Sequence, residues 1–259
     1  MLQLEHVTYR VSDEQGEKTI LKDVNLSLSE RFVAFTGPNG GGKSTLAKVI
    51  AGIITPTEGK ILFDGEDITS LSVTERAKRG ISYAFQQPVR FKGLTVRSLL
   101  ELAAGEKLSE ETLCGLLGKV GLCANEYMDR EMNAGLSGGE IKRIEIATVL
   151  ARRAKLSIFD EPEAALSPMR QMAMLTAMHR LTRAGSQLVV ATHSPILMAY
   201  PESVIYLLDG GGIRQVGYEE TDHYRVTRDF LNRYPALLRV LLEEPAAGRS
   251  GEDGGDGKD

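Results

Sequence analysis

Gly37-Pro38-Asn39-Gly40-Gly41-Gly42-Lys43-Ser44-Thr45 is the stretch on which the reading of the chain turns. Its first eight residues fit the spacing G-x-x-x-x-G-K-[ST]. A polyphosphate needs many N–H donors at close range, and only a backbone nearly free of side chains can wrap it. The following helix would point its positive end at the same anion. In that geometry Lys43 reaches the β and γ phosphates, and the Ser44 hydroxyl is placed to ligate Mg²⁺. The flanks agree. Phe32-Val33-Ala34-Phe35 is a short apolar run that reads as a buried strand, and Thr45-Leu46-Ala47-Lys48-Val49-Ile50 continues a helix that starts at Lys43. Strand, glycine-rich turn and helix in that order predict a triphosphate-binding α/β core.

Outward from this loop, short apolar runs alternate with helical stretches. Residues 2–10 and 19–28 alternate with period two and read as strands, the first at a sheet edge, with the polar stretch 12–18 as the turn between them. Residues 61–63, 156–159, 188–192 and 204–208 read as further strands. Helices are expected over 96–104, 110–120 with Ser109 as N-cap, and 140–153. Ser167 and Pro168 form an N-cap and first-turn pair for a helix that Gly185 closes. Two short helices, 221–232 and 236–243, are expected to be separated at Pro235. This alternation predicts a largely parallel sheet.

The bulk composition restricts the classes of function. The chain has 259 residues, 42% of them hydrophobic and 25% charged, with a formal net charge of −4. These values suit a soluble globular protein with a sizeable core. They give no basic footprint, so direct nucleic-acid binding is not expected. Cys114 and Cys123 form no metal-ligand or disulfide pattern and are expected to be reduced, partly buried thiols. The four histidines are scattered without metal spacing. No apolar run is long enough to span a membrane, and Met1-Leu2-Gln3-Leu4-Glu5 does not start a signal peptide. A cytoplasmic protein is expected, with any membrane role borrowed from a partner.

Further motifs follow the phosphate loop in a fixed order: Phe85-Gln86-Gln87-Pro88, then Leu136-Ser137-Gly138-Gly139-Glu140 opening a helix, then Asp160-Glu161 ending an apolar strand, then Ala191-Thr192-His193-Ser194. Taken together over residues 1–210, they resemble the ABC ATPase family. The resemblance implies a P-loop α/β core with a mixed sheet and an inserted helical subdomain, and it implies ATP and Mg²⁺ as ligands. It implies that Tyr9 stacks on adenine and that residues 37–45 enclose the phosphates. Gln86 would contact Mg²⁺ and couple the site to the helical subdomain, Asp160 would hold the Mg²⁺ shell, and Glu161 would be the general base. His193 would sense the γ phosphate. Ser137, Gly138 and Gly139 would serve the ATP of an opposite protomer in a head-to-tail, ATP-dependent homodimer. The domain division this implies is an ATP-binding core of residues 1–85 and 155–243, a helical subdomain of 86–154, and a disordered tail of 245–259.

Two finer resemblances divide the chain. The phosphate loop, Arg79-Gly80, Ala84-Phe85-Gln86-Gln87-Pro88 and Gly138-Gly139-Glu140-Ile141-Lys142-Arg143 resemble SufC-type ATPases of iron–sulphur cluster assembly, over residues 1–162. Asp160-Glu161-Pro162-Glu163-Ala164, Thr192-His193-Ser194-Pro195-Ile196-Leu197 and Tyr218-Glu219-Glu220-Thr221-Asp222-His223-Tyr224-Arg225 resemble stand-alone ATPases related to ABC and SMC-like proteins, over 160–243. Three roles are therefore implied: a motor for a cluster-assembly scaffold, the nucleotide-binding subunit of a membrane permease, or a stand-alone ATPase. In the first two, the partner docks in a groove near Gln86. A permease partner would place the chain peripherally at the inner face of the membrane. Ser167 stands where many ABC proteins carry Asp in a loop that touches the other protomer. Met169, Met172, Met174 and Met178 are expected to pack along a helix.

Overall fold

The computed structural model describes residues 1–13, 16–87, 89, 91–133, 135–164, 166–210 and 212–242. The expected disordered tail, 245–259, lies outside the described residues. Ten strands and nine α-helices are described. The chain begins with β1 (Leu2–Asp13), β2 (Gly16–Leu28) and β3 (Phe32–Thr36), followed by α1 (Lys43–Ala51), β4 (Glu58–Phe63) and β5 (Glu66–Asp67). Next come α2 (Val73–Lys78), β6 (Ile81–Ala84), α3 (Val96–Ala104), α4 (Glu110–Lys119), α5 (Ala124–Tyr127) and α6 (Gly138–Arg152). The remainder is β7 (Leu156–Asp160), α7 (Pro168–Arg183), β8 (Gln187–Ala191), α8 (Pro195–Met198), β9 (Val204–Asp209), β10 (Gly212–Val216) and α9 (Asp222–Leu242).

The strands form two sheets. One has the order β10-β9-β3-β8-β7-β6, parallel throughout except for β10 against β9. The other is antiparallel, in the order β2-β1-β4-β5. The largely parallel expectation therefore holds for one sheet only. In that sheet β3, β7 and β8 are buried at every residue, because both faces are covered. Phe32 and Ala34 point into a core shared with α3, α4, α6 and α7, whereas Val33 and Phe35 point into a second core shared with α1 and the antiparallel sheet. Alternate side chains of one strand thus tie together two cores on opposite faces.

Several expectations need correction. β1 is not an edge strand: it lies between β2 and β4. Alternation reports one buried face and says nothing about pairing at either edge. Within the polar stretch 12–18, Ser12 pairs with Glu17 and Asp13 with Gly16, so β1 and β2 extend almost to their connection. The two helices expected around Pro235 do occur within α9, and they meet at a break in the helical backbone at Arg233 (φ −134°, ψ 18°). A kink just before proline is where its missing N–H and ring clash act. Both cysteines are exposed rather than partly buried, since α4 turns Leu113, Leu116 and Leu117 inward. Met174 and Met178 are buried, but Met169 and Met172 are exposed. Ser167 occupies the N-cap position of α7, yet its side chain makes no capping bond. Pro168 sets the first helical φ and removes one orphan donor instead.

The base of α1 rests on a buried cation. Arg76, on α2, is 1% exposed. It donates to the carbonyls of Val49 and Ile50 (2.8 Å each), Thr69 (2.9 Å) and Leu71 (3.1 Å). Val49 and Ile50 lie in the last turn of α1, where carbonyls lack an i+4 partner, although that of Val49 also accepts from the Gly52 N–H at 3.2 Å. Burial pushes the guanidinium down to about 10, so it stays charged at neutral pH. Gly52, with φ +79°, makes room for it: a Cβ there would lie 2.8 Å from Arg76 Nε. Arg76→Met should therefore orphan several buried carbonyls and cost about 3 kcal/mol or more in urea unfolding. A loss below about 1 kcal/mol would show that the four bonds are dispensable.

Candidate active site

The parallel strands deliver the predicted residues from one end of the sheet. β3 runs into the loop 37–42, β6 leads to Gln86, β7 ends in Asp160 and Glu161, and β8 leads to His193. Ligand crevices of open α/β sheets lie at these carboxyl ends.

The loop is shaped by what packs behind it. Gly37 has φ +139°, and a Cβ there would lie 2.0 Å from the Leu208 carbonyl of β9. Gly42, φ +94°, is the N-cap of α1, and a Cβ there would meet Leu21 Cδ2 at 2.9 Å. No side chain caps α1, and no acid sits in its first turn. Its leading N–H groups and positive end are thus left to an anion. Lys43, 4% exposed, folds back to donate to the Gly37 and Pro38 carbonyls at 2.9 Å each. Burial pushes its ammonium pKa down, while the carboxylates of Glu161, Asp160 and Glu163 oppose that shift.

Asp160 is 1% exposed. Its Oδ1 accepts from Ser44 Oγ and its Oδ2 from Tyr83 Oη, both at 2.7 Å. Burial, with the bond to Asp160, pushes the Tyr83 phenol up, so it remains a donor. Glu161 has a positive φ of 42°, which turns its side chain out of the strand direction. Its Oε2 accepts from Gln86 Nε2 at 2.6 Å, and its Oε1 lies 3.5 Å from His193 Nε2. Glu163 braces the segment holding His193: its Oε1 accepts from Thr192 Oγ1 (2.7 Å), His193 N (2.7 Å) and Ser194 N (3.1 Å). Burial holds the Glu163 carboxyl above the usual carboxylate range.

Helix α6 clasps the backbone just before Gln86. Phe85 N donates to Glu145 Oε1 at 2.7 Å, and buried Lys142 bonds the Phe85 carbonyl while pairing with Glu145 at 2.8 Å. Ser137, Gly138 and Gly139 open this same helix. Ser137 forms a capping box with Glu140, whose carboxyl also accepts from Tyr127. Ser137 and Gly138 are exposed, and no bond among the described residues joins them to this chain's own phosphate loop. Tyr9 is half-buried against the core under the antiparallel sheet and pairs with Leu21, the residue behind Gly42. Sequence reasoning missed Tyr83, Lys142, Glu145, Glu163 and His223. His223 lies in the quoted stretch 218–225 and meets His193 Nδ1 at 3.0 Å.

The donor set suits a hard cation on a phosphate. Ser44 and Asp160 offer oxygen, and Gln86 uses its amide nitrogen on Glu161, which leaves its carbonyl oxygen as a donor. Among the described residues no group of three or more His, Cys, Asp or Glu could hold a metal alone. That matches magnesium, which is commonly held by one or two protein oxygens plus substrate phosphates and water.

This geometry defines a P-loop nucleotide-binding cassette. The model of the ABC transporter family matches residues 21–164, and the chain belongs to that family. An uncharacterized ABC transporter ATP-binding protein, MJ0035 of Methanocaldococcus jannaschii, is 36% identical over 219 residues, 81% of this chain and 88% of its own. The thiamine import ATP-binding protein ThiQ of Brucella abortus is 34% identical over 239 residues, covering 89% and 96%. The dimeric ABC transporter cassette MJ0796 superposes with TM-score 0.76 at 28% identity, over 85% of this chain and all of that one. A post-hydrolysis state of that cassette, with ADP and Pi, gives TM-score 0.75.

His193 and His223 both have pKa values depressed below 6.5, first by burial and then by nearby Lys43. An unfolded chain accepts these protons at higher pH than the fold does. The stability they contribute is therefore full above about 6.5 and is lost as pH falls through the depressed values. Compared with a His193→Gln/His223→Gln double variant, the wild type should lose urea midpoint as pH drops from about 7.5 to about 5.5. A gap that widens in favour of the wild type on acidification would contradict this assignment.

Proposed function

We propose that the chain binds Mg–ATP and hydrolyses it to ADP and phosphate at a head-to-tail dimer interface. The observation that carries this reading is the convergence of Lys43, the Ser44–Asp160 bond and the Gln86–Glu161 contact beside an uncapped helix N-terminus. Residues 37–45 and Lys43 would cradle the phosphates, and Ser44, Asp160 and Gln86 would hold the magnesium ion. When bound, that ion would neutralise charge on the β and γ oxygens. Glu161 orients the attacking water and accepts its proton, and His193 Nε2 faces the place where the γ phosphate ends. Tyr9, carried to the flank of the loop by β1, offers its ring to the adenine. Ser137 and Gly138, exposed at the start of α6, and Gly139 next to them supply a second helix N-terminus to the nucleotide of the other protomer. The dimeric state of the related cassette supports that arrangement.

The division of labour follows the chain: residues 1–85 and 155–243 bind the nucleotide, and 86–154 respond to it. Beside Gln86 lies a groove of about 260 Å³ lined by Phe85, Val89, Phe91, Leu102 and Met132 among others. Phe85, Val89, Phe91 and Leu102 are exposed. An apolar helix of a partner fits this groove, and the Lys142–Glu145 clasp on Phe85 would transmit its movement to Gln86. The SufC-like motifs over 1–162 favour a scaffold protein of iron–sulphur cluster assembly in the cytoplasm. The transporter names of the relatives favour a permease, with the chain peripheral at the inner membrane face. No described helix is long and apolar enough to cross a membrane. Co-purification from the native host separates the two: a soluble scaffold supports the first and a multi-helix membrane protein the second.

Glu161→Gln keeps the shape and removes the base. Turnover should fall by about 10²–10⁴ while ATP still binds, and ATP-dependent dimers should persist in gel filtration. Unchanged phosphate release would reject Glu161 as the base.

A further inference from the structure

The segment after β8 and the start of α9 meet behind the phosphate loop. Tyr218 Oη donates to the Pro195 carbonyl at 2.9 Å. Thr221, 3% exposed, accepts from Tyr224 N at 3.3 Å and caps α9, which places His223 in the first turn. The His223 ring stands between two neighbours. One is the Gly37 carbonyl, to which it is hydrogen-bonded. The other is His193 Nδ1, 3.0 Å from His223 Nε2.

These contacts fix the protons. A carbonyl can only accept, so the single N–H of a neutral His223 goes to Gly37. Because Nε2 is the atom that meets His193, this N–H sits on Nδ1, and Nε2 is left as an acceptor. His193 Nδ1 is then the donor across the 3.0 Å contact. A neutral imidazole carries one proton, so His193 Nε2 has none. That atom is buried and makes no hydrogen bond, and it faces another acceptor, Glu161 Oε1, at 3.5 Å. His193 thus has an acceptor at each nitrogen, and only a doubly protonated ring can satisfy both. Burial and Lys43 oppose that charge and keep the ring neutral near pH 7 without nucleotide. The titratable groups around the pair are Lys43 of α1, Glu161 and Glu163 after β7, and Asp222 of α9.

A γ phosphate shifts this balance. It adds negative charge in front of Nε2, and it gives Lys43, here folded onto the Gly37 and Pro38 carbonyls, an anion to neutralise. We propose that His193 takes up a proton from solvent when Mg–ATP binds, and that His223, held as an acceptor by Gly37, positions the resulting imidazolium with its Nε2–H on the γ phosphate. This role rests on the Mg–ATP reading above and deepens it. ADP lacks the γ phosphate and leaves the ring neutral, and the proton returns to solvent when phosphate departs. The pKa of His193 is higher in the ATP complex than without nucleotide. The resulting gain in ATP affinity is therefore present below the pKa of the complex and is lost as pH rises through it.

The test uses the full chain and Mg–ATPγS, a slowly hydrolysed triphosphate. Calorimetry at about pH 7.5 in buffers of different ionisation enthalpy counts the protons taken up. The wild type should take up about 0.5–1 proton more than His193→Gln, and more with Mg–ATPγS than with Mg–ADP. ¹⁵N NMR of the wild-type imidazoles should show His193 protonated on Nδ1 alone without nucleotide and on both nitrogens in the complex. His223→Leu removes the acceptor: uptake should vanish and Kd for Mg–ATPγS should rise about tenfold, with Kd for Mg–ADP changed by less than about threefold. His223→Gln, whose amide oxygen can accept in place of Nε2, should keep most of the uptake. Equal uptake in His193→Gln, a His193 ring that stays singly protonated in the complex, or unchanged uptake in His223→Leu would each overturn the proposal. The wild-type spectra decide it even where a variant does not fold. A wild type that binds neither nucleotide overturns the Mg–ATP reading and this role with it, whereas binding without a proton on His193 Nε2 removes this role alone.

Discussion

Parallel pairing of β3 with β8 on one side and β9 on the other is the constraint on which the site depends. It aligns the carboxyl ends of the strands, so that the loop after β3 and the segment carrying His193 after β8 leave the sheet side by side. It also sets the Leu208 carbonyl of β9 where a side chain at position 37 would be, 2.0 Å from the Cβ position. The loop can follow its path only as glycine there. Phosphate cradle and sheet register are thus one structural fact, and the alternation of Phe32 and Ala34 against Val33 and Phe35 anchors it in both cores.

Behind the cradle, the carboxylates divide their work through environment. Asp160 is buried and doubly hydrogen-bonded, by Ser44 and Tyr83, and so has a fixed direction. Glu161, next in the chain but turned by its positive φ, is shared between Gln86 and the vicinity of His193. Glu163 faces inward and spends one oxygen on three donors of the 192–194 segment. Three acids within four residues therefore stand in three settings: Asp160 is buried and doubly bonded, Glu161 lies between Gln86 and His193, and Glu163 braces the 192–194 segment.

The parts of this arrangement that could be read from the sequence are those with local causes. The loop 37–45 has its own spacing, buried strands are apolar runs, and the helix start at Ser109 carries its N-cap. What escaped was built from distant partners. Tyr83 finds Asp160 across 77 positions, Phe85 finds Glu145 across 60, and His193 finds His223 across 30. A polar residue in an apolar strand signals that a partner exists without saying which. The edge assignment of β1 failed for the same reason, since its pairing with β4 joins residues as far apart as Leu2 and Phe63.

The two resemblances that divide the sequence near 160–164 do not correspond to two structural units. The family match itself ends at 164, yet residues on either side of that point complete each other's contacts. Ser44 needs Asp160, Gln86 needs Glu161, and β7 is hydrogen-bonded to β6 before it and β8 after it. Beyond the junction, Glu163 reaches forward to the 192–194 segment, and His193 and His223 then meet each other. The second stretch therefore supplies the contacts behind His193, while the first supplies the glycine-rich loop. A site assembled this way joins the start of α9 to the segment after β8 through a single imidazole contact, His193 Nδ1 with His223 Nε2 at 3.0 Å.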